Sequence, residues 1–305
     1  MSKLSRPAAL AALVLVLAAC SSSGAGSALP TASGAPSNPP SEGPSASPET
    51  VGAIEHKTAP TDVILRYDEG GGGFMMPAWT ASQAPAFTLF GDGTLIFRNT
   101  NKEALPAVGS VMPLHPFRTA KMNEEQIQTL LEFALGEGGL GAARAEYLDM
   151  MVSDASTAVF TVNAGGLAKT VSVYALGREL EGTADVLARK TLAKLRDHLV
   201  DIDQGGSVKT DVYAPERYRA ILLEGQPGAP DQRAWPWPDI KTAEFVSNGD
   251  PNAFQMPARL MTAAEIEALG IEPFQGGFIG LPLAGPGDGK FYTLSVRPLL
   301  PDDES

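Results

Sequence analysis

Short apolar runs separated by glycine-rich turns constrain this chain more than any other feature. Phe87-Thr88-Leu89-Phe90 and Thr94-Leu95-Ile96-Phe97 flank Gly91-Asp92-Gly93. Each run is too short for an independent helix, and an Asp-Gly turn supplies the positive φ that a tight hairpin needs. Thr157 to Val162 and Lys169 to Tyr174 alternate in the same way around Asn163-Ala164-Gly165-Gly166. Val63 to Tyr67 predicts a further strand, broken by Asp68-Glu69 and Gly70 to Gly73. Two segments carry helical periodicity instead. Asn123 to Leu135 places Ile127, Leu130, Leu131 and Ala134 on one face, with Asn123 and Gln126 spaced as a capping box. Thr183 to Val200 has Val186, Leu187, Leu192, Leu195 and Leu199 as its apolar stripe. The order β–β–β–α–β–β–α predicts an α+β fold, an antiparallel sheet with helices packed on one face.

The remaining third repeats part of this grammar. Tyr218 to Glu224 reads as a strand and Thr262 to Leu269 as a short helix whose capping box is Thr262 with Glu265. Phe278 to Leu283 and Phe291 to Val296 read as strands around a Gly/Pro-rich turn. Met122 to Leu130 matches Met261 to Leu269 in helix grammar, and Lys169 to Val173 resembles Lys290 to Val296. These similarities raise the expectation of two related ββα-type units. Residues 51–208 are expected to form one α+β unit. Residues 209–305 form a smaller one, either a separate domain or part of the same one.

The N-terminus is read by different rules. Lys3 and Arg6 precede an apolar run from Ala8 to Ala19. That run rises about 18 Å as a helix, short of the ~30 Å hydrocarbon core, so it fits a signal-peptide h-region over 1–19. It ends in Leu17-Ala18-Ala19-Cys20. Residues 21–50 hold nine Ser, six Pro, five Ala and four Gly. Such a composition cannot bury enough apolar surface to order itself, and residues 20–50 are expected to be a disordered tether reaching about 30 Å.

Leu17-Ala18-Ala19-Cys20 resembles the lipobox of bacterial lipoproteins. The resemblance implies a diacylglyceryl group on Cys20, cleavage before it, and anchoring by acyl chains such as palmitate in the cell membrane, on its extracytoplasmic face. Several acyl chains together anchor stably, at about 0.8 kcal/mol per buried methylene. The Phe90 to Thr94 turn, the capped helix from Asn123 and the block from Asp154 to Tyr174 resemble exported bacterial domains of β-β-α-β-β-α order. Residues 60–303 also look like lipoproteins of actinobacterial type. These resemblances imply export and the fold class, and no activity.

Composition removes several classes of function. Against 23 Lys and Arg stand 35 Asp and Glu, a formal net charge of −12. A nucleic-acid binder needs clustered cations, so none is expected. One Cys excludes an intramolecular disulfide, a multi-Cys zinc site and an iron–sulfur cluster. No nucleophile motif occurs, and Asp201 to Gly206 begins like a calcium loop but has Gly205 and Val212 where ligands belong. No catalytic residue, metal ligand or cofactor is therefore assigned. The candidate binding residues are Trp235 and Trp237, held extended by Pro236 and Pro238, together with Trp79, Asp68, Glu69 and His115. The two tryptophans also suit a second role, covering an open end of the core. Asp68 and Glu69, adjacent on a strand, point to opposite faces unless the chain turns. The expected function is a membrane-anchored, non-enzymatic binding or interaction module with an exported protein as partner. The alternatives are a cell-envelope hydrolase working through carboxylates and an inhibitor or sensor of another exported protein.

Overall fold

The computed structural model describes residues 52–73, 77–98, 107, 109–149, 151–179, 182–203, 208–247, 256–271, 276–287 and 289–303. The leader, Cys20 and the tether lie outside the described residues. The fold is mixed α/β, sheet-rich, with strands that pair almost throughout antiparallel.

The first sheet is built from β1 (Val63–Gly70), β2 (Phe87–Phe90), β3 (Thr94–Arg98), β5 (Phe117–Lys121), β6 (Glu146–Tyr147), β7 (Thr157–Ala164), β8 (Leu167–Tyr174) and β9 (Asp211–Val212). Its order is β6-β8-β7-β1-β2-β3-β5-β9. The short helix α1 (Pro77–Ala81) follows β1, α2 (Glu124–Leu135) follows β5, and α3 (Val186–Val200) follows β8. The second sheet has β10 (Arg217–Glu224), β11 (Arg233–Ala234), β12 (Ala258–Thr262), β13 (Phe278–Ala284) and β14 (Phe291–Pro298), ordered β11-β13-β14-β10-β12. The short helix α4 (Ala263–Glu267) follows β12. The two-residue strand β4 (Met112–Pro113) belongs by sequence to the first half but pairs with β13 of the second sheet.

Both predicted hairpins form. In β2–β3 the Asp92 carboxylate accepts the Thr94 backbone N–H at 2.9 Å, and Gly93 takes φ 84°. A Cβ there would stand 2.3 Å from the Met122 carbonyl oxygen, so a glycine is required. The β7–β8 turn is tighter than the four residues expected: Gly165 and Gly166 alone make it, both at positive φ. The capping box at α2 closes in both directions, Asn123 Oδ1 accepting the Gln126 N–H and Gln126 Oε1 accepting the Asn123 N–H, each at 2.9 Å. Thr262 and Glu265 close the same box on α4.

Two expectations needed correction, and one open segment is filled. β1 does not break at Asp68-Glu69 but stays paired with β7 through Gly70. The two carboxylates are thus strand residues, and the turn begins only after them. Leu187, expected in the stripe of α3, is 80% exposed, and Arg189 is fully buried in its place. The Arg189 guanidinium reaches that position by donating to the carbonyls of Tyr174 at 2.8 Å and Tyr147 at 3.2 Å. The segment 98–121, whose content the sequence leaves open, supplies β4 and β5.

One core holds Leu65 and Tyr67 of β1, Phe87 and Leu89 of β2, Phe97 of β3, Phe160 and Val162 of β7, and Val171 and Val173 of β8. Ile127, Leu130, Leu131 and Ala134 of α2 and Leu192, Leu195 and Leu199 of α3 close it. A second core lies on the other sheet, around Tyr218, Leu222, Met261, Ile266, Leu281 and Leu294. A smaller third cluster joins Phe90, Ile96 and Phe117 of the first sheet to Leu300 of the C-terminal segment.

Candidate functional site

A cleft of about 550 Å³ opens at the end of β1. It is lined by Asp68, Glu69 and the following glycines, by Trp79 on α1, by Arg98 at the end of β3, and by Arg196 and Asp197 on α3. Three of the six residues singled out from sequence, Asp68, Glu69 and Trp79, meet here. The strand pairing explains how both carboxylates reach one opening. They leave β1 on opposite faces, but they stand at its last turn-side positions, where the cleft wraps around the strand end. Gly72 fixes that end: at φ 85° a Cβ would lie 2.4 Å from the Ala155 carbonyl carbon.

Most of the charge in the cleft is already matched. Glu69 accepts the hydroxyl proton of Tyr67 on one oxygen and that of Ser156 on the other, the latter at 2.6 Å. Burial, reinforced by this bond to Glu69, holds the Tyr67 phenol firmly protonated. Arg196 donates through Nε to Asp197 at 2.9 Å and through Nη1 to the Leu176 carbonyl at 3.3 Å.

Asp68 and Arg98 are different. Among the described residues Asp68 accepts only the Glu69 backbone N–H, at 2.8 Å. Burial raises its carboxyl above the ordinary value, against the pull of that N–H and of Arg66 and Arg98. Arg98 is 6% exposed, with the Phe117 ring 3.9 Å from its Cζ. Among the described residues its guanidinium makes one hydrogen bond, from Nη2 to the Gly276 carbonyl at 2.8 Å, and its buried Nε has no partner. Burial and the nearby Arg297 charge push it down to about 9, with Asp68 opposing, so it remains a cation at neutral pH. Among the described residues no ion pair involves Asp68 or Arg98.

The other candidates lie elsewhere. Trp237 is 5% exposed and Trp235 half-buried, both packed on the second core. Their rings meet edge to face at 5.1 Å, and their indole N–H groups donate to the carbonyls of Glu265 at 2.7 Å and Ile240 at 2.9 Å. Both rings therefore pack on that core with their polar edges satisfied. His115 is half-buried before β5, with an unpartnered Nδ1, and does not line the cleft.

Arg98 was missed from sequence because Thr94 to Phe97 accounts for the strand and nothing local shows that the next side chain is buried. Its only signal is a cation placed directly after three apolar strand residues. Among the described residues no group of three or more His, Cys, Asp or Glu is placed to hold a metal ion, and no helix is long and apolar enough to cross a membrane. No family model, curated protein or solved structure matches this chain.

Proposed function

We propose that this chain is an exported lipoprotein, held at the outer face of the cell membrane through acylated Cys20, whose folded part is a non-enzymatic binding module. Leu17-Ala18-Ala19-Cys20 after the Ala8 to Ala19 run supports the anchor. The single observation that carries the binding role is the β1 cleft, in which Asp68 and Arg98, among the described residues, have no ion-pair partner while the side chains around them hold each other in place. The net charge of −12 argues against nucleic acid as partner; the partner we propose is an exported protein or a small molecule.

The scaffold we read for this module is an antiparallel sheet with α2 and α3 on one face, followed by a related ββα-type unit. Both helices contribute to the first core, and α2 and α4 open on closed capping boxes. The hairpins that follow differ in sense: β7, the first strand of its pair, lies beside β1, whereas β14, the second, lies beside β10.

The hydrolase reading is weaker. Both oxygens of Glu69 are taken by hydroxyl donors and Asp197 is engaged by Arg196, which leaves Asp68 without a second free carboxylate in the cleft.

Two measurements test the proposal. Cys20→Ala should abolish acyl labelling and membrane retention; a labelled, membrane-bound variant would end the anchor reading. A photo-crosslinking residue at Gln83, on the cleft wall, should form a recurrent adduct in living cells, whereas one at Glu137, a surface residue ion-paired to Lys194, should not. Equal yields at the two positions would end the binding reading.

A further inference from the structure

We infer that the β1 cleft binds a small zwitterion of amino-acid type, its carboxylate on Arg98, its ammonium on Asp68 and its apolar part against Trp79. The inference rests on the binding-module reading and narrows it to a ligand class.

Arg98 carries the argument. A guanidinium has five N–H donors in a planar fork, and among the described residues this one uses a single donor, on a protein carbonyl. It is nine-tenths buried, backed by the Phe117 ring, and its Nε is sealed from solvent without an acceptor. Buried donors are almost always satisfied, and leaving one open is costly. The cleft is where an acceptor can enter, and the unused Nη1 edge, not the sealed Nε, is what a carboxylate there can accept from, with the second N–H of Nη2 beside it.

The rest of the lining selects among anions. The carboxyl groups of Glu69 and Asp197 also line the cleft, even though their own bonds are made. A dianion such as phosphate would therefore meet two guanidiniums and three carboxylates. A carboxylate bearing an ammonium on the same molecule avoids that repulsion, because its cation can face Asp68, the acid with a single backbone donor. Trp79, Ala84, Ala86 and Val200 form apolar wall for a side chain, and about 550 Å³ suits a ligand of this size.

Equilibrium dialysis of the full-length lipoprotein in detergent against labelled L-phenylalanine tests this, with 3-phenylpropionate and phenethylamine as single-charge probes. The wild type should retain L-phenylalanine, hold 3-phenylpropionate about tenfold more weakly, and hold phenethylamine not at all. Arg98→Met, which removes the buried charge, should lose at least tenfold in affinity for both carboxylates. Asp68→Asn should bind L-phenylalanine and 3-phenylpropionate equally, which keeps the test open if Arg98→Met fails to fold. No retention by the wild type would mean that water alone satisfies Arg98 and would overturn the inference. So would equal binding of the two carboxylates by the wild type, or unchanged affinity in a folded Arg98→Met. If Gln83 adducts persist in cells while every probe fails, the binding module stands and only its ligand class is wrong.

Discussion

Buried arginines recur in this molecule, and their partners decide what each is worth. Arg297 is 6% exposed and donates from Nη1 and Nη2 to the two oxygens of Asp303, at 2.8 and 2.9 Å. Burial alone would raise the Asp303 carboxyl. The paired bonds from Arg297, the Leu300 backbone N–H at 2.7 Å and the Arg219 charge draw it below the ordinary value instead. Removing one partner leaves the other buried and unpaired, so Asp303→Ala should cost about 3 kcal/mol at neutral pH, read by urea denaturation. The pH dependence follows from the sign of the shift. A carboxyl whose folded value is depressed binds its proton less readily when folded, so its stabilisation is complete above the unfolded value of about 4 and is lost as pH falls through the lower folded value. The wild type should therefore lose stability in that acid range, and Asp303→Ala should lack that part of the decline. A variant with an unchanged acid profile would show that the pair contributes no pH-dependent stability. Arg98, by contrast, has no such carboxylate among the described residues, which is why it reads as a site and Arg297 as a strut.

At the scale of elements, the features legible in the sequence were those with a local cause. The α2 box is closed by two side chains three residues apart, and the turn residues Asp92, Gly93, Gly165 and Gly166 each answer a backbone requirement of their own turn. Such features do not depend on the rest of the chain. Asn123→Ala should accordingly cost about 1 kcal/mol with no change of fold, measured as a shift of the urea midpoint at constant slope. A change of slope would mean that α2 is disrupted rather than uncapped. What was illegible has non-local causes. β4 and β9 are two residues long and exist only because β13 and β5 offer free edges. β1 runs past Tyr67 because β7 continues to pair with Asp68 and Glu69, overriding the poor strand propensity of acids. The α3 stripe, expected to include Val186 and Leu187, buries Arg189 in place of Leu187 because two strand carbonyls lie within its reach. The candidate site shows the same division. Asp68, Glu69 and Trp79 could be picked out by residue type, but Arg98 acquires its meaning only where β3 ends beside Phe117 and Gly276.

At the scale of the whole molecule, the question is whether the two sheets unfold together. The chain crosses between them repeatedly. β4 pairs with β13, β9 returns to pair with β5, and the Tyr213 hydroxyl just after β9 donates to the Leu299 carbonyl at 3.0 Å. The C-terminal segment then lies against the first sheet. Leu300 packs with Phe90, Ile96 and Phe117, and Arg66 donates to both oxygens of Asp302 at 2.7 Å. Burying a leucine contributes about 2 kcal/mol, and a largely buried charged pair costs several when one partner is withdrawn. Those sums are comparable with the about 5–15 kcal/mol that holds a typical domain folded. Opening the second sheet alone would forfeit them while leaving Phe90 and Ile96 bare, so the two cores should melt in one transition. In a Trp79→Phe background, the remaining tryptophans, Trp235 and Trp237, report only the second core, whereas far-UV circular dichroism is dominated by the first sheet with α2 and α3. The two signals should trace coincident urea curves, and Leu300→Ala should move both midpoints down together, by about 2–3 kcal/mol. Tryptophan emission changing ahead of the dichroism would instead make residues 209–305 a domain that opens on its own, with the contacts of Leu300 and Asp302 too weak to couple it to the sheet that carries the cleft.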